Sequence, residues 1–170
     1  ARVEAVEIDG RRVRRSYSPT TIPSSDGGIA ITVKRVAGGK LSGFLCDEVP
    51  VGGWLDIGPA FGEMTLPAQL DVPLLFLAAG SGITPLVSMT RALAARGMPA
   101  PLTLLYWTRR RDELCFVDEL RGLAAKHSNF SVRFVLTRDV AAGADEAQGR
   151  IDEALLATLV PEDVDAIIKN

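Results

Sequence analysis

Leu74-Leu75-Phe76-Leu77-Ala78-Ala79-Gly80-Ser81-Gly82-Ile83-Thr84-Pro85 is the stretch that decides how this chain is read. Six apolar residues run into Gly-Ser-Gly, Thr-Pro comes next, and a helical pattern begins. The apolar run suits a strand buried on both faces, as in a parallel sheet. The glycines permit positive φ and let backbone approach a ligand closely. Thr84 is a good N-cap and Pro85 fits the first helical position. Backbone N–H groups at such a helix start attract phosphate. The stretch therefore reads as a pyrophosphate-binding turn. Gly-x-Gly alone is a weak signal, and a tight strand-to-helix connection without a ligand accounts for the glycines equally well.

Downstream, strands alternate with helices. Leu86, Met89 and Leu93 recur at helical spacing after Pro85, and Gly97 is a natural stop. Leu102–Trp107 reads as a second strand, followed by Thr108-Arg109-Arg110-Arg111. Asp112 is placed to cap a helix with Phe116, Val117, Leu120 and Leu123 on one side. Phe130–Thr137 reads as a third strand, Ile151–Leu159 as a third helix and Val164–Ile168 as the start of a fourth strand. This grammar predicts a doubly wound parallel sheet, in which ligands lie at the carboxyl ends of the strands. Gly80-Ser81-Gly82, Thr108–Arg111 and Thr137-Arg138-Asp139 all fall at those ends, which favours a nucleotide over an empty turn. An arginine there can hold an adenosine 2′-phosphate, where an acidic residue would bind a free ribose diol. Arg109 and Arg110 are the candidates for the phosphate. Solvated charge near a helix start is the plain alternative.

Upstream of Pro67 the pattern is that of short strands and turns. Val3, Ala5, Val6 and Ile8 lead to the turn signal Asp9-Gly10, and a returning strand runs through Val13 to Tyr17. Arg11, Val13 and Arg15 share one face of it. The arginines suit a solvated edge strand that resists aggregation, or else a phosphate next to the aromatic Tyr17. Ile29, Ile31 and Val33 alternate with polar residues and predict another strand. Gly39-Lys40-Leu41-Ser42 precedes a short helix from Ser42 and offers a second anion site, though a capped helix explains it as well. Trp54–Ile57 reads as a further strand. These elements predict part of an antiparallel barrel or sandwich.

The 170 residues are 47% hydrophobic and 24% charged, so the chain folds rather than staying disordered. A net charge of −2 argues against nucleic acid as the main partner. No apolar run approaches the ~20 residues that span a bilayer, and the expected location is the cytoplasm. The single histidine, His127, and two cysteines leave hydrolytic or metal chemistry little to work with. Cys46 and Cys115 are expected to be small buried hydrophobes, His127 to end a helix, and Trp54 and Trp107 to pack in the core or against a ring.

Taken together these motifs resemble the ferredoxin–NADP reductase superfamily across nearly the whole chain. Arg15-Ser16-Tyr17-Ser18 matches the family's R-x-Y-S/T flavin motif, and Ile31-Thr32-Val33-Lys34-Arg35-Val36 resembles the strand that follows it. Gly39-Lys40-Leu41-Ser42 matches G-x-x-S/T, and Gly80-Ser81-Gly82-Ile83-Thr84-Pro85 matches G-x-G-I-T-P. The likeness is strongest to bacterial reductases that carry a plant-type 2Fe-2S domain and feed oxygenases or desaturases. The resemblance implies a partial flavin-binding β-barrel over residues 1–68 and an NAD(P)-binding α/β domain over residues 69–170. It implies Arg15 on the flavin phosphates, Tyr17 against the isoalloxazine ring and Ser18 near flavin N5. Backbone at Val33 and Lys34 would hold the flavin chain, with Ser42 and its neighbouring N–H groups on phosphate. Thr84 and the glycines would sit where nicotinamide meets flavin. FAD is expected over FMN, and NADPH over NADH. Hydride would pass to the flavin, and single electrons onward to an iron–sulfur or haem acceptor. A flavin- or nucleotide-binding subunit without its own turnover is the alternative. The family's opening strands and its Cys-Gly-x-x segment would lie beyond Ala1 and Asn170, as would any iron–sulfur cysteines.

Overall fold

The computed structural model describes residues 2–8, 10–22 and 27–160, and the chain divides into two compact units, residues 1–65 and 66–170.

In the first unit, β1 (Arg2–Ile8) and β2 (Arg11–Ser16) form an antiparallel hairpin, with Val6 opposite Val13 and Glu7 opposite Arg12. Gly10 turns the chain at φ +68°, a conformation costly for any residue with a Cβ. β3 (Asp56–Gly58) pairs with the other edge of β1, so the sheet order is β2-β1-β3. Residues 29–33, expected as a strand, are not one. Only Ile31 bridges to Pro19, with the Thr20 N–H donating to Ala30 O at 2.8 Å. Pro19 has no N–H with which to extend a ladder. Beyond Ile31 the segment is tied to α1 (Lys40–Asp47), which starts two residues before Ser42 with Gly39 as its N-cap. Val36 N–H donates to Ser42 Oγ at 3.2 Å, and Arg35 pairs with Asp47 at 2.8 Å. Trp54 does not pack in the core. Gly52 (φ +85°) and a Gly53 N–H bond to Pro50 O hold 50–53 in a turn, and Trp54 stands 98% exposed just beyond it.

The second unit is built on four parallel strands, β4 (Leu74–Ala79), β5 (Leu102–Thr108), β6 (Phe130–Leu136) and β7 (Glu146–Gln148), in that spatial order. β5, not β4, is the strand buried throughout. β4 lies at the edge among the described residues, and its Leu77 is 45% exposed. α2 (Ile83–Ala95) and α3 (Val117–Lys126) cover one face, where Leu86, Val87, Leu93 and Leu120 meet Leu104, Tyr106 and Phe134. α4 (Glu153–Leu159) covers the other, where Leu155, Leu156 and Leu159 meet Leu105, Trp107 and Val135. Helices on both faces make the unit doubly wound, as expected. A bidentate ion pair from Arg91 to Glu119, at 2.6 and 2.7 Å, joins α2 to α3.

Several local expectations are corrected. Asp112 does not cap α3. It lies in a 3-10 turn, Arg111–Glu113, and α3 begins only after Phe116, whose left-handed φ of +63° redirects the chain. Asp152 caps α4 instead, accepting from Leu155 N–H at 2.8 Å. Cys46 and Cys115 are exposed, one on the last turn of α1 and the other in the link to α3. His127 follows α3 as expected, and Trp107 is buried. The fourth strand expected at Val164–Ile168 lies outside the described residues.

β7 was not foreseen, because Glu-Ala-Gln carries no apolar run. Ion pairs hold it in place. The Glu146 side chain, 4% exposed, accepts from Arg111 at 2.6 and 3.0 Å and from Ala142 N–H at 2.9 Å. Arg121 grips Asp145 at 2.7 and 3.1 Å. The hydrogen bonds from Arg111, then that from Ala142, hold the Glu146 carboxyl at a pKa of about 2. An unfolded glutamate protonates near pH ~4.3. The stabilisation is therefore complete above that pH and is lost as the pH falls toward about 2. Glu146→Gln should lower the melting temperature at pH 7, and the gap to the parent chain should narrow as the pH is lowered from ~5 toward ~3. A gap that stays constant over this range in thermal melts would contradict the role given to the carboxylate.

Candidate functional site: phosphate turns and the strand ends

At the end of β4, Gly80–Gly82 form one 3-10 turn that runs directly into α2. Only Gly80 uses its freedom, at φ +51°, while Gly82 is already helical at φ −63°. The helix therefore starts earlier than expected. Gly82 is the N-cap, and Thr84 and Pro85 are the second and third helical residues. Thr84 is buried, and its hydroxyl donates back to Ser81 O at 3.0 Å, which clasps the turn onto the helix. No side chain caps the turn or α2, so leading N–H groups are left for water or a ligand. A Cβ built on Gly80 or Gly82 would meet nothing within 4 Å, so this backbone faces open space. A phosphate could reach it.

Thr108, Arg109 and Arg110 follow β5 at the same edge of the sheet. The loop is firmly held. Thr108 Oγ1 donates to Arg110 O at 2.8 Å, Thr137 N–H to Thr108 O at 3.0 Å and Arg138 N–H to Arg109 O at 2.9 Å. Arg111 is committed to Glu146, and its own N–H donates to Asp139 at 2.8 Å. Arg109 and Arg110 are exposed, as a phosphate contact requires. Between the ends of β4 and β5 opens a largely apolar cavity of about 490 Å³, lined by Leu77, Ala79, Trp107, Thr137, Arg150 and Ile151. The buried Trp107 indole N–H beside it has no partner among the described residues. An apolar wall with a few polar groups suits a flat heteroaromatic ring.

In the first unit, β2 with the Tyr17 that follows it and the backbone of Val33 and Val36 lie near α1. Arg15 is exposed at the end of β2 and donates to Arg14 O at 2.7 Å. Tyr17 is half-buried. Burial raises its phenol pKa, Arg15 opposes the rise and Cys46 of α1 adds to it, so the ring lies within electrostatic reach of both elements. Ser18 beside it is half-buried, and Ser16 is exposed. Cys46 Sγ reaches Val33 O at 4.0 Å, which brings the Val33–Lys34 backbone to the same helix. The Ser42 hydroxyl accepts from Val36 N–H and donates to Gly39 O at 3.3 Å. It is occupied within the protein, and Leu41 is buried. No side chain caps the first turn of α1 among the described residues, so N–H groups from Leu41 onward could meet an anion. Glycine at 39 is a packing requirement, because a Cβ there would stand 2.6 Å from Ser42 Oγ and 3.0 Å from Val36 Cβ. Gly39→Ala should cost about 1–3 kcal/mol in urea denaturation, as overpacking does. An unchanged midpoint would show that the loop yields freely.

Two acidic residues matter here that were not singled out from the sequence. Glu146 is 35 residues from Arg111, and nothing in its context marks it. Glu113 pairs with Arg109 at 3.3 Å, and its i,i+4 spacing was legible.

The oxidoreductase FAD-binding domain family matches residues 2–65, and the oxidoreductase NAD-binding domain family matches residues 76–168. A flavohemoprotein of Pseudomonas putida is 37% identical over 95% of this chain and 41% of its own length. The ferredoxin reductase component of a Mycobacterium tuberculosis 3-ketosteroid-9-alpha-monooxygenase is 43% identical over 68% of this chain and 32% of its own length. The chain thus spans about two fifths or less of these curated relatives. The fold matches the FAD/NAD-binding domain of a Vibrio cholerae nitric oxide dioxygenase, with a TM-score of 0.82 at 22% identity, over 99% of this chain and 76% of that one. With one domain of each kind in sequence, the chain belongs to the ferredoxin–NADP reductase superfamily.

Proposed function

We propose that this chain is the flavin- and nicotinamide-binding core of an NAD(P)H-dependent reductase of the cytoplasm. Its electrons would go to an iron–sulfur or haem acceptor, such as a ferredoxin-type centre or an oxygenase. The observation that carries the reading is the bare Gly80–Gly82 turn leading into α2, in a chain that also holds an FAD-binding domain. The haem-linked and monooxygenase-linked relatives support the choice of acceptor. The two exposed, unpaired thiols suit a reducing compartment.

Bound FAD and NAD(P)H supply hydride transfer and one-electron release, and the protein's part is to hold and align them. Arg15 offers a two-pronged donor to the flavin phosphates, and the first turn of α1 offers N–H groups. Tyr17 gives the ring an apolar face, and Ser18 a hydroxyl beside it. The Gly80–Gly82 backbone receives the dinucleotide phosphates. Thr84, fixed by its bond to Ser81 O, sets the position of the turn rather than reacting. Arg109 and Arg110 lie where the adenosine end would lie.

The protein should purify yellow with flavin absorbance, and should oxidise NAD(P)H in the presence of an artificial acceptor. A colourless preparation that takes up neither FAD nor FMN would refute the reading. Flavin uptake without NAD(P)H oxidation would point to a binding subunit instead. Tyr17→Ala should weaken flavin binding or shift its spectrum, and unchanged affinity and spectrum would remove Tyr17 from the site.

A further inference from the structure

The three arginines after β5 suggest a site for a 2′-phosphate, but their partners divide them. Arg111 is turned away into the Glu146 and Asp139 pairs. Arg110 has no carboxylate partner among the described residues. Arg109 is exposed, yet its Nη2 lies 3.3 Å from Glu113 Oε1. Glu113 is held where it can reach. It closes the 3-10 turn Arg111–Glu113 with its N–H on Arg110 O at 3.2 Å, and its side chain is only 23% exposed. The Arg109 backbone is fixed in turn by Arg138 N–H. An exposed pair of this kind contributes little to folding. Its consequence is electrostatic, because it places a carboxylate against an exposed cation of the cluster.

We infer that Glu113 sets the cosubstrate preference of this chain by holding Arg109 back from a 2′-phosphate, so that nucleotides with a free ribose diol are favoured. This rests on the proposed placement of the adenosine at the carboxyl end of β5. A 2′-phosphate carries close to two negative charges at neutral pH. To meet Arg109 it must displace Glu113 or lie within several ångström of it. At a separation of roughly 6 Å in a watery site, repulsion from one carboxylate weakens such a ligand by about tenfold. A diol meets no such repulsion. The arginine run, which by composition favours NADPH, is thereby tuned toward NADH.

The test is calorimetric binding of 2′,5′-ADP and 5′-AMP to the chain and to Glu113→Gln. Removing the charge should shift the affinity ratio toward 2′,5′-ADP by about tenfold, the size of that repulsion. Relative to the parent chain, the double variant Glu113→Gln/Arg109→Gln should show no net gain, because loss of the Arg109 attraction offsets loss of the carboxylate's repulsion. Glu113→Ser removes the same charge should the glutamine variant prove unstable in a melt. A ratio that moves less than about twofold, against the tenfold expected from the repulsion, overturns the role of Glu113. So does a gain that survives loss of Arg109. If neither nucleotide binds the parent chain, the placement of the adenosine fails first, and that result is distinguishable from a ratio that stays put.

Discussion

Burial of β5 on both faces is the constraint on which the second unit depends. Its seven residues are all buried, and it pairs in parallel register with β4 from Leu74 to Ala79 and with β6 from Phe130 to Leu136. Parallel neighbours must all end at the same edge of the sheet. Ala79, Thr108 and Leu136 therefore finish side by side, and the loops after them share one rim. The helices then cover the faces, since strands of this kind leave no face that water can occupy. The shape of the rim follows from this arrangement and not from any single loop.

The rim is kept in shape by polar ties rather than by packing. Tyr106 shows the transition. Its ring meets Phe134 edge-on at 6.3 Å in the core, while its hydroxyl accepts from Cys115 N–H at 3.4 Å near the surface. Burial pushes that phenol up to about 12, so it stays a neutral partner throughout the physiological range. Further out, Arg111, Glu146, Arg121 and Asp145 fasten the loop after β6 to the elements beneath it. A network of this kind makes one cation structural and leaves its neighbours at the surface. Charge counted along the chain is thus a poor guide to charge available to a ligand.

The first unit shows the same division on a smaller scale. Gly39 and Ser42 answer to each other before they answer to any phosphate, because the hydroxyl fills the space that a Cβ would need. The backbone at Val33 and Val36 is bonded to side chains of α1, not to a neighbouring strand. A segment with the alternation of a strand is in this way drawn onto a helix.

Much of this was legible in the amino-acid order. A continuous apolar run marked β5, alternation marked β6 and helical spacing marked α2 and α3, because a strand buried on both faces, a strand and a helix each impose their own pattern. The Gly80 turn was legible because glycine alone takes a positive φ freely where a strand runs into a helix. Other features were decided only in three dimensions. Gly82 took the cap that Thr84 was expected to fill, because the glycines closed a 3-10 turn first. Trp54 was left in solvent by a turn of two glycines. Glu146 became a buried anion through an arginine 35 residues away. Short-range order is written in local steric and hydrogen-bonding preferences. The choice of partner for a charge depends on which distant groups the packed sheet brings within a few ångström, and no local pattern records that.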